Sequence, residues 1–337
     1  MAKELRAQKL HTLVDSLGRG VNYLRISLTD RCNLKCIYCH PPHSIDFLDR
    51  SDICSYGEIL QVVKTAARLG IDKVRLTGGE LFLRKGIMDF IRSLSQLKAL
   101  REITLTTNGL LLLPHLKALK EMGIKRINVS LDTMSKALFY HVTGSRKFDA
   151  VKEAIHQALQ EGFKIKINMV VLRGLNDGEI NQFIDKFAER SAEIRFIEFM
   201  PLCGSGWKGN YFFPYEKIKR TITSEYDLYP LPSSGVAQEF AVGNDRGIIG
   251  KVGIIAPVTR PFCGSCSRLR LSAKGELRPC LFSSKKIDLL SILRGGSRSD
   301  QVERNIENAF KKAVAMKTFS KQTQSVDNDV LIRSIGG

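Results

Sequence analysis

The chain has 337 residues, 43% of them hydrophobic, so it can bury a large core and is not a disordered polar chain. Its 52 Lys and Arg against 34 Asp and Glu give a formal charge of +18. No apolar run is long enough to cross a membrane, no block of five basic residues occurs and aromatics are only 8%, so a membrane span is excluded, a nucleic-acid platform is disfavoured and small anionic ligands stay open.

The N-terminal segment scatters Lys3, Glu4, Arg6 and Lys9 among its apolar residues, unlike a secretory leader. A short organelle-targeting segment is the alternative there, with Glu4 against it. The expectation is a cytoplasmic protein whose eight cysteines are not disulfides. Next, β-branched runs at 23–28, 73–77, 102–106, 126–131, 164–172 and 194–199 alternate with helical patterns at 56–69, 86–97, 114–122, 148–161 and 179–190. Ser55 followed by Glu58 predicts a capping box on the first helix. The alternation predicts parallel strands with right-handed crossovers. Six strands are too few for a complete eight-stranded barrel, so an open sheet or a partial barrel fits. In both, ligands sit past the carboxyl ends of the strands. The loops there (29–39, 77–80, 107–109, 130–132, 173–176 and 200–206) carry the cysteines, glycines and polar residues.

From about Tyr211 the rhythm changes. Pro214, Pro230, Pro232 and Ser233-Ser234-Gly235 read as a connection. Two strands, 238–242 and 247–255, are expected around a turn at Gly243-Asn244-Asp245. A basic helical tail ends the chain in Gly336-Gly337. The whole segment reads as an extension that packs on the first domain.

Six cysteines fall into two triads. Cys32-x3-Cys36-x2-Cys39 lies in the loop after the first strand. Zinc would want four ligands, usually as two pairs. Three thiolates in one loop suit an iron–sulfur cluster with one iron left open to a substrate. The alternatives are unrelated loop cysteines, or zinc completed by His40 or His43. The second triad is Cys263-x2-Cys266-x13-Cys280; its alternative is a zinc knuckle completed by Cys54 or Cys203, both read as core or loop residues. Between 257 and 286 there are seven basic residues and one acid, Glu276. Arg268 and Arg270 alternate as on one face of a strand, a pair suited to phosphate oxygens; a solvated basic face is the alternative. Thr77-Gly78-Gly79-Glu80 offers close backbone approach to a ligand and a carboxylate for an ammonium.

Cys32-Asn33-Leu34-Lys35-Cys36-Ile37-Tyr38-Cys39 resembles the CxxxCxYC signature of radical S-adenosylmethionine (SAM) enzymes, and Gly78-Gly79-Glu80 resembles their GGEP segment, with Leu81 in place of the proline. His40 departs from the methionine common after the third cysteine and is read as a loop residue. The segment from Phe262 through Leu271 and the diglycine end resemble the GTP 3′,8-cyclase family of molybdenum cofactor biosynthesis, over nearly the whole chain; Ser267 stands where that family often has Asn. The resemblance implies a partial (β/α)6 TIM-like barrel over residues 16–225, and an α+β extension over 226–337 carrying a second cluster.

It further implies the site. Cys32, Cys36 and Cys39 hold a [4Fe-4S] cluster that binds SAM, with Tyr38, Gly79, Glu80, Ser130 and Met200 contacting SAM. Cys263, Cys266 and Cys280 hold a second [4Fe-4S] cluster that meets guanine. Arg25, Arg75, Thr106, Lys166, Arg268, Leu269 and Arg270 contact GTP. Arg268, Arg270, Gly336 and Gly337 serve catalysis. The activity implied is a lyase that removes the ribose 3′-hydrogen through a 5′-deoxyadenosyl radical and joins C3′ to C8. Implied partners are an electron donor such as flavodoxin or ferredoxin, cyclic pyranopterin monophosphate synthase as recipient of the product, and a second copy of the chain in a homodimer. The competing expectations are a radical SAM enzyme acting on a peptide and a zinc-stabilised basic nucleic-acid-binding protein.

Overall fold

A computed structural model describes residues 13–39, 47–188, 192–201, 209–232, 235–317 and 335. The six expected β-branched runs form β1 (Tyr23–Ser27), β2 (Lys73–Thr77), β3 (Glu102–Thr107), β4 (Arg126–Ser130), β5 (Lys164–Val171) and β6 (Glu193–Glu198). They pair in chain order, all parallel. Between them run α1 (Tyr56–Arg68), α2 (Ile87–Ser95), α3 (Leu116–Glu121), α4 (Lys136–Thr143), α5 (Phe148–Gln160) and α6 (Ile180–Phe187). The capping box on α1 is present: the Glu58 amide donates to Ser55 Oγ at 3.2 Å, and the Ser55 amide to Glu58 at 2.6 Å.

Alternation along the strands divides their side chains between two faces. Leu24, Ile26, Val74, Leu76, Ile127, Val129, Ile165, Ile167, Ile194 and Phe196 join one apolar cluster with Ile59 and Val62 of α1, Phe90 of α2, Ile155 of α5 and Phe183 of α6. Each contributes roughly 1.5–3 kcal/mol on burial. The intervening residues, including Arg25, Arg75, Arg126, Asn128, Lys166 and Arg195, line a single cavity of about 980 Å³. Strands β1 to β6 therefore curl around one interior.

Two helices were not expected. In α4 only Phe139, Val142 and Thr143 are buried, so its eight residues give a weak pattern; Ser135 caps its start and Gly144, with φ of 71°, ends it. Helix α7 (Tyr215–Thr223) follows Pro214, which reads as a chain break. Proline just before a helix removes no helical hydrogen bond, so Tyr215, Ile218 and Ile222 still bury one stripe.

The extension does more than pack on a finished domain. Its strands join both margins of the barrel sheet. Strand β9 (Gly247–Ile255) pairs parallel with β6, then β8 (Gln238–Asn244) and β7 (Asp227–Leu231) follow antiparallel. The turn between β8 and β9 is Asp245–Arg246, starting one residue beyond the expected centre at Asn244, because Asn244 still pairs with Gly247. Pro230, expected in a connection, sits in β7; the outermost strand tolerates its missing N–H. At the other margin β10 (Arg268–Leu271) pairs parallel with β1, followed by β11 (Glu276–Arg278) and β12 (Ile287–Asp288). Helices α8 (Leu289–Arg294) and α9 (Ser299–Ala315) complete the described chain, with Arg294 bonded to Glu58 at 2.7 Å and Arg68 to Glu303 at 2.8 Å.

Candidate active site

The first triad lies past the carboxyl end of β1, as expected. The loop is held from two sides. Lys35 and Ile37 amides donate to the Thr143 and Val142 carbonyls at 2.8 and 2.9 Å, so the unexpected α4 docks the cysteine loop. The Tyr38 hydroxyl donates to Asp132 Oδ2 at 2.6 Å, and Asp132 Oδ1 accepts from the Val170 amide at 2.9 Å, tying the loop to β5. Burial pushes the Asp132 carboxyl up to about 6, opposed by the Tyr38 and Val170 donors. Burial, Asp132 and the two companion thiols raise Cys36 well above the ordinary thiol range. Three thiols that oppose each other's ionisation are suited to a cationic cluster, whose iron would deprotonate them.

The glycine-rich segment after β2 is held against the cysteine loop. A Cβ at Gly79 would stand 2.1 Å from the Arg31 carbonyl oxygen, so the close approach is made by the cysteine loop itself. Gly79 and Glu80 amides donate to the Thr29 and Arg31 carbonyls at 2.6 and 2.8 Å. Glu80, expected to reach an ammonium, is fully buried at 0% exposure. Its carboxylate accepts from the Thr107 hydroxyl at 2.8 and 2.9 Å, the Asn108 amide at 2.8 Å and the Phe82 amide at 3.2 Å. Burial raises it to about 7 against those donors. Glu80 thus joins the ends of β2 and β3 and presents no surface to a ligand. Asn108 in turn reaches Cys32 Sγ at 3.8 Å. Leu81 is buried in the core.

The second triad is at the opposite end. Register pairs Arg268 of β10 with Tyr23 at the start of β1, so Cys263 and Cys266 precede the strand where β1 begins. Arg278 of β11 pairs with Arg270, which returns Cys280 to the same end. The two triads are separated by at least the length of β1, about 13 Å at the usual rise. The rule placing all ligands past the carboxyl ends of the strands therefore fails for the second triad. Lys317 closes this site: its ammonium donates to the Arg268 carbonyl at 2.8 Å and the Pro279 carbonyl at 3.2 Å, and reaches Cys266 Sγ at 3.9 Å. Burial raises Cys266, but Arg268 and Lys317 outweigh it and bring the thiol down to about 7, well below the ordinary thiol range. Arg19 donates to the Cys263 carbonyl.

Between the triads runs the cavity, lined by ten Lys and Arg and three Glu. Arg25, Arg75, Lys166, Met200, Arg268, Arg270 and the second triad all lie on its wall. Burial, then Arg270 and Arg75, hold the Arg25 guanidinium well below its usual pKa, and burial with Arg268 brings Arg270 down to about 10. Buried like charges of this kind lower one another's pKa, and a nearby anion would favour their charged forms. Lys166 already has a partner, Glu193 at 2.5 Å; burial and Arg195 lower it to about 8. Arg270 Nη1 also donates to the Ile335 carbonyl at 3.2 Å, which brings Ile335 to this wall.

The Leu269 side chain turns away, fully buried in the core opposite Leu24, so only its backbone faces its neighbours' ligand side. Thr106 and Ser130 stand on β3 and β4 near the upper end. Cys54 is a core residue, raised to about 12 by burial. Cys203, His40, His43, Gly336 and Gly337 lie outside the described residues. Sequence reasoning missed Arg126, Asn128, Arg195 and Lys317. The first three carry the inward periodicity of β4 and β6 and could have been found by it; a lone lysine in a basic tail gives no signal. Among the described residues, no three His, Cys, Asp or Glu side chains meet closely enough to hold a single metal ion, and no helix is long and apolar enough to cross a membrane.

Residues 26–187 match the Radical SAM superfamily and residues 192–322 the Molybdenum Cofactor Synthesis C family. A protein named GTP 3′,8-cyclase from Thermodesulfovibrio yellowstonii is 42% identical over 87% of this chain and 91% of its own, and one from Moorella thermoacetica is 40% identical over 90% and 93%. Molybdenum cofactor biosynthesis protein 1 of Bos taurus is 38% identical over 87% of this chain, which spans 47% of that longer protein. Among solved structures, Streptococcus suis SuiB bound to S-adenosylmethionine shares the fold, with a TM-score of 0.61 at 15% identity over 85% of this chain and 68% of SuiB. With identity at this level along nearly full-length relatives, the chain belongs to the GTP 3′,8-cyclase family of the radical SAM superfamily.

Proposed function

We propose that the chain is a radical SAM lyase converting GTP to (8S)-3′,8-cyclo-7,8-dihydroguanosine 5′-triphosphate, the opening step of molybdenum cofactor biosynthesis. The observation that carries this reading is the cation-lined cavity with one cysteine triad on its wall and the other past the far end of the same strands. Residues 16–225 form the SAM-binding core, and 226–337 supply the second cluster and most of the GTP site. Cys32, Cys36 and Cys39 hold one [4Fe-4S] cluster, and Cys263, Cys266 and Cys280 the other. When bound, the first cluster with SAM supplies a hydrogen-abstracting radical and the second an open iron for guanine.

The protein's own groups bind and orient. Arg25, Arg75, Arg268 and Arg270 neutralise the triphosphate in a buried, preorganised site. Lys166 exchanges Glu193 for a phosphate oxygen, and Thr106 offers its hydroxyl. Tyr38, Gly79, Ser130 and Met200 meet SAM, while Glu80 supports them from behind. Gly336 and Gly337 serve catalysis; they follow in sequence Ile335, whose carbonyl accepts from Arg270 Nη1. An electron donor of the flavodoxin or ferredoxin kind and cyclic pyranopterin monophosphate synthase complete the reaction sequence.

Metal analysis of anaerobically reconstituted protein tests the proposal. About 8 iron atoms per chain with acid-labile sulfide are expected, and Ala at Cys32, Cys36 and Cys39 should leave about half. Stoichiometric zinc without sulfide refutes it.

A further inference from the structure

The inner wall of the barrel is layered. Register places Arg25 beside Arg75, Arg75 beside Thr104 and Thr104 beside Arg126, a cationic layer. One step higher, Thr106 stands beside Asn128, and Asn128 beside Lys166. One step higher again, Ser130 stands beside Asn168 at the upper end.

Asn128 is the anomaly in this wall. It lines the cavity and is only 1% exposed, yet neither its amide nitrogen nor its amide oxygen has a hydrogen-bond partner among the described residues. On the strands either side, the Thr106 hydroxyl and the Asn168 amide oxygen are buried, also without partners among the described residues. Buried polar side chains are nearly always bonded, and an amide left open at both ends destabilises the fold that carries it. Nothing in the packing asks for an amide here; the core is filled by Ile127 and Val129 on the other face of β4.

The chemistry of the group narrows its ligand. An amide offers two donors and an acceptor without charge. Phosphate oxygens only accept, and the arginines below already serve them. A hydroxyl both donates and accepts, and so matches both ends of the amide.

We propose that Asn128 binds the sugar hydroxyls of the nucleotide substrate, with Thr106 beside it. This rests on the reading above: four of the five phosphate-binding cations, Arg25, Arg75, Arg268 and Arg270, lie at or below the cationic layer, Lys166 alone stands at the level of Asn128, and SAM sits at the level of Ser130, which leaves the ribose at the level of Asn128. The residue then selects ribonucleotides and fixes which face of the sugar turns towards the upper end of the barrel.

The test measures binding of GTP, 2′-deoxy-GTP and 3′-deoxy-GTP by calorimetry, using anaerobically reconstituted wild type, Asn128→Ala and Asn128→Leu. Wild type should prefer GTP over at least one deoxy analogue by about tenfold or more. Both variants should bind GTP about tenfold more weakly and lose that preference. Asn128→Leu should melt no lower than wild type without nucleotide, because it removes an unsatisfied amide. Equal binding of all three nucleotides by wild type overturns the inference. So does a preference that survives in both variants, and a lowered melting temperature with unchanged preference marks Asn128 as structural. A wild-type chain that binds no GTP overturns the underlying reading instead.

Discussion

Gly79→Ala probes whether the glycine after β2 is there for the cysteine loop. The added Cβ would stand 2.1 Å from the Arg31 carbonyl oxygen, 2.5 Å from the Arg31 carbonyl carbon and 3.0 Å from the Asp30 oxygen. Real Cβ atoms do not come within 3.0 Å of such neighbours, so the 30–31 backbone must retreat by about 0.9 Å. The obstacle is backbone, and no rotamer change relieves it. Gly79 is not in the left-handed region, so the effect is one of space and not of φ. The retreat stretches the bond from the Glu80 amide to the Arg31 carbonyl, now 2.8 Å, and moves the residue next to Cys32. Overpacking of this kind destabilises by about 1–3 kcal/mol. A displacement of about 1 Å at a reacting site lowers rate by roughly 100-fold. The assay is thermal melting, iron per chain after anaerobic reconstitution, and product formed from GTP. Gly178→Ala is the control, since nothing lies within 4 Å of its Cβ position. If Gly79→Ala matches that control in melting, iron and turnover, the close approach between the two loops does not matter and the reasoning fails.

Arg268→Ala and Arg270→Ala each remove a charge from the cavity wall, partly exposed at Arg268 and buried at Arg270, worth roughly 1.5–3 kcal/mol, so GTP binding should weaken by about 10- to 100-fold while SAM binding holds. Unchanged GTP titrations in both variants would return these residues to a structural role. Lys166 gives a pH signature. Its pKa, lowered to about 8 by burial and Arg195, means that the ammonium is lost as pH rises through that value, and GTP affinity should fall there; Lys166→Arg should flatten the profile. The same depression below the ordinary 10.5 makes this group's contribution to stability complete above about 10.5 and lost as pH falls through about 8, measurable as a melting temperature that Lys166→Met makes less pH-dependent.

Both cysteine triads, the parallel alternation of β1 to β6 and the Arg268–Arg270 face were legible because each is written in local spacing. Glu80 shows the limit of such reading. Its motif was visible, but whether its carboxylate points to a ligand or to Thr107 and Asn108 depends on how deeply the next strand end buries it. The same holds for α7 and β7, whose prolines read as breaks until the helix start and the sheet edge are known.

The sequence by itself determined the strand–helix order, the two cysteine triads and the shared face of Arg268 and Arg270, since local spacing and periods of 2 and 3.6 residues assign faces without reference to the rest of the chain. It did not determine which end of the barrel each triad occupies. That was decided by the parallel pairing of β10 with β1, between residues some 245 apart, which carries Cys263, Cys266 and Cys280 to the end opposite Cys32. Strand register is a tertiary quantity: it is fixed by which edge remains open when the extension arrives and by which side chains then meet across it.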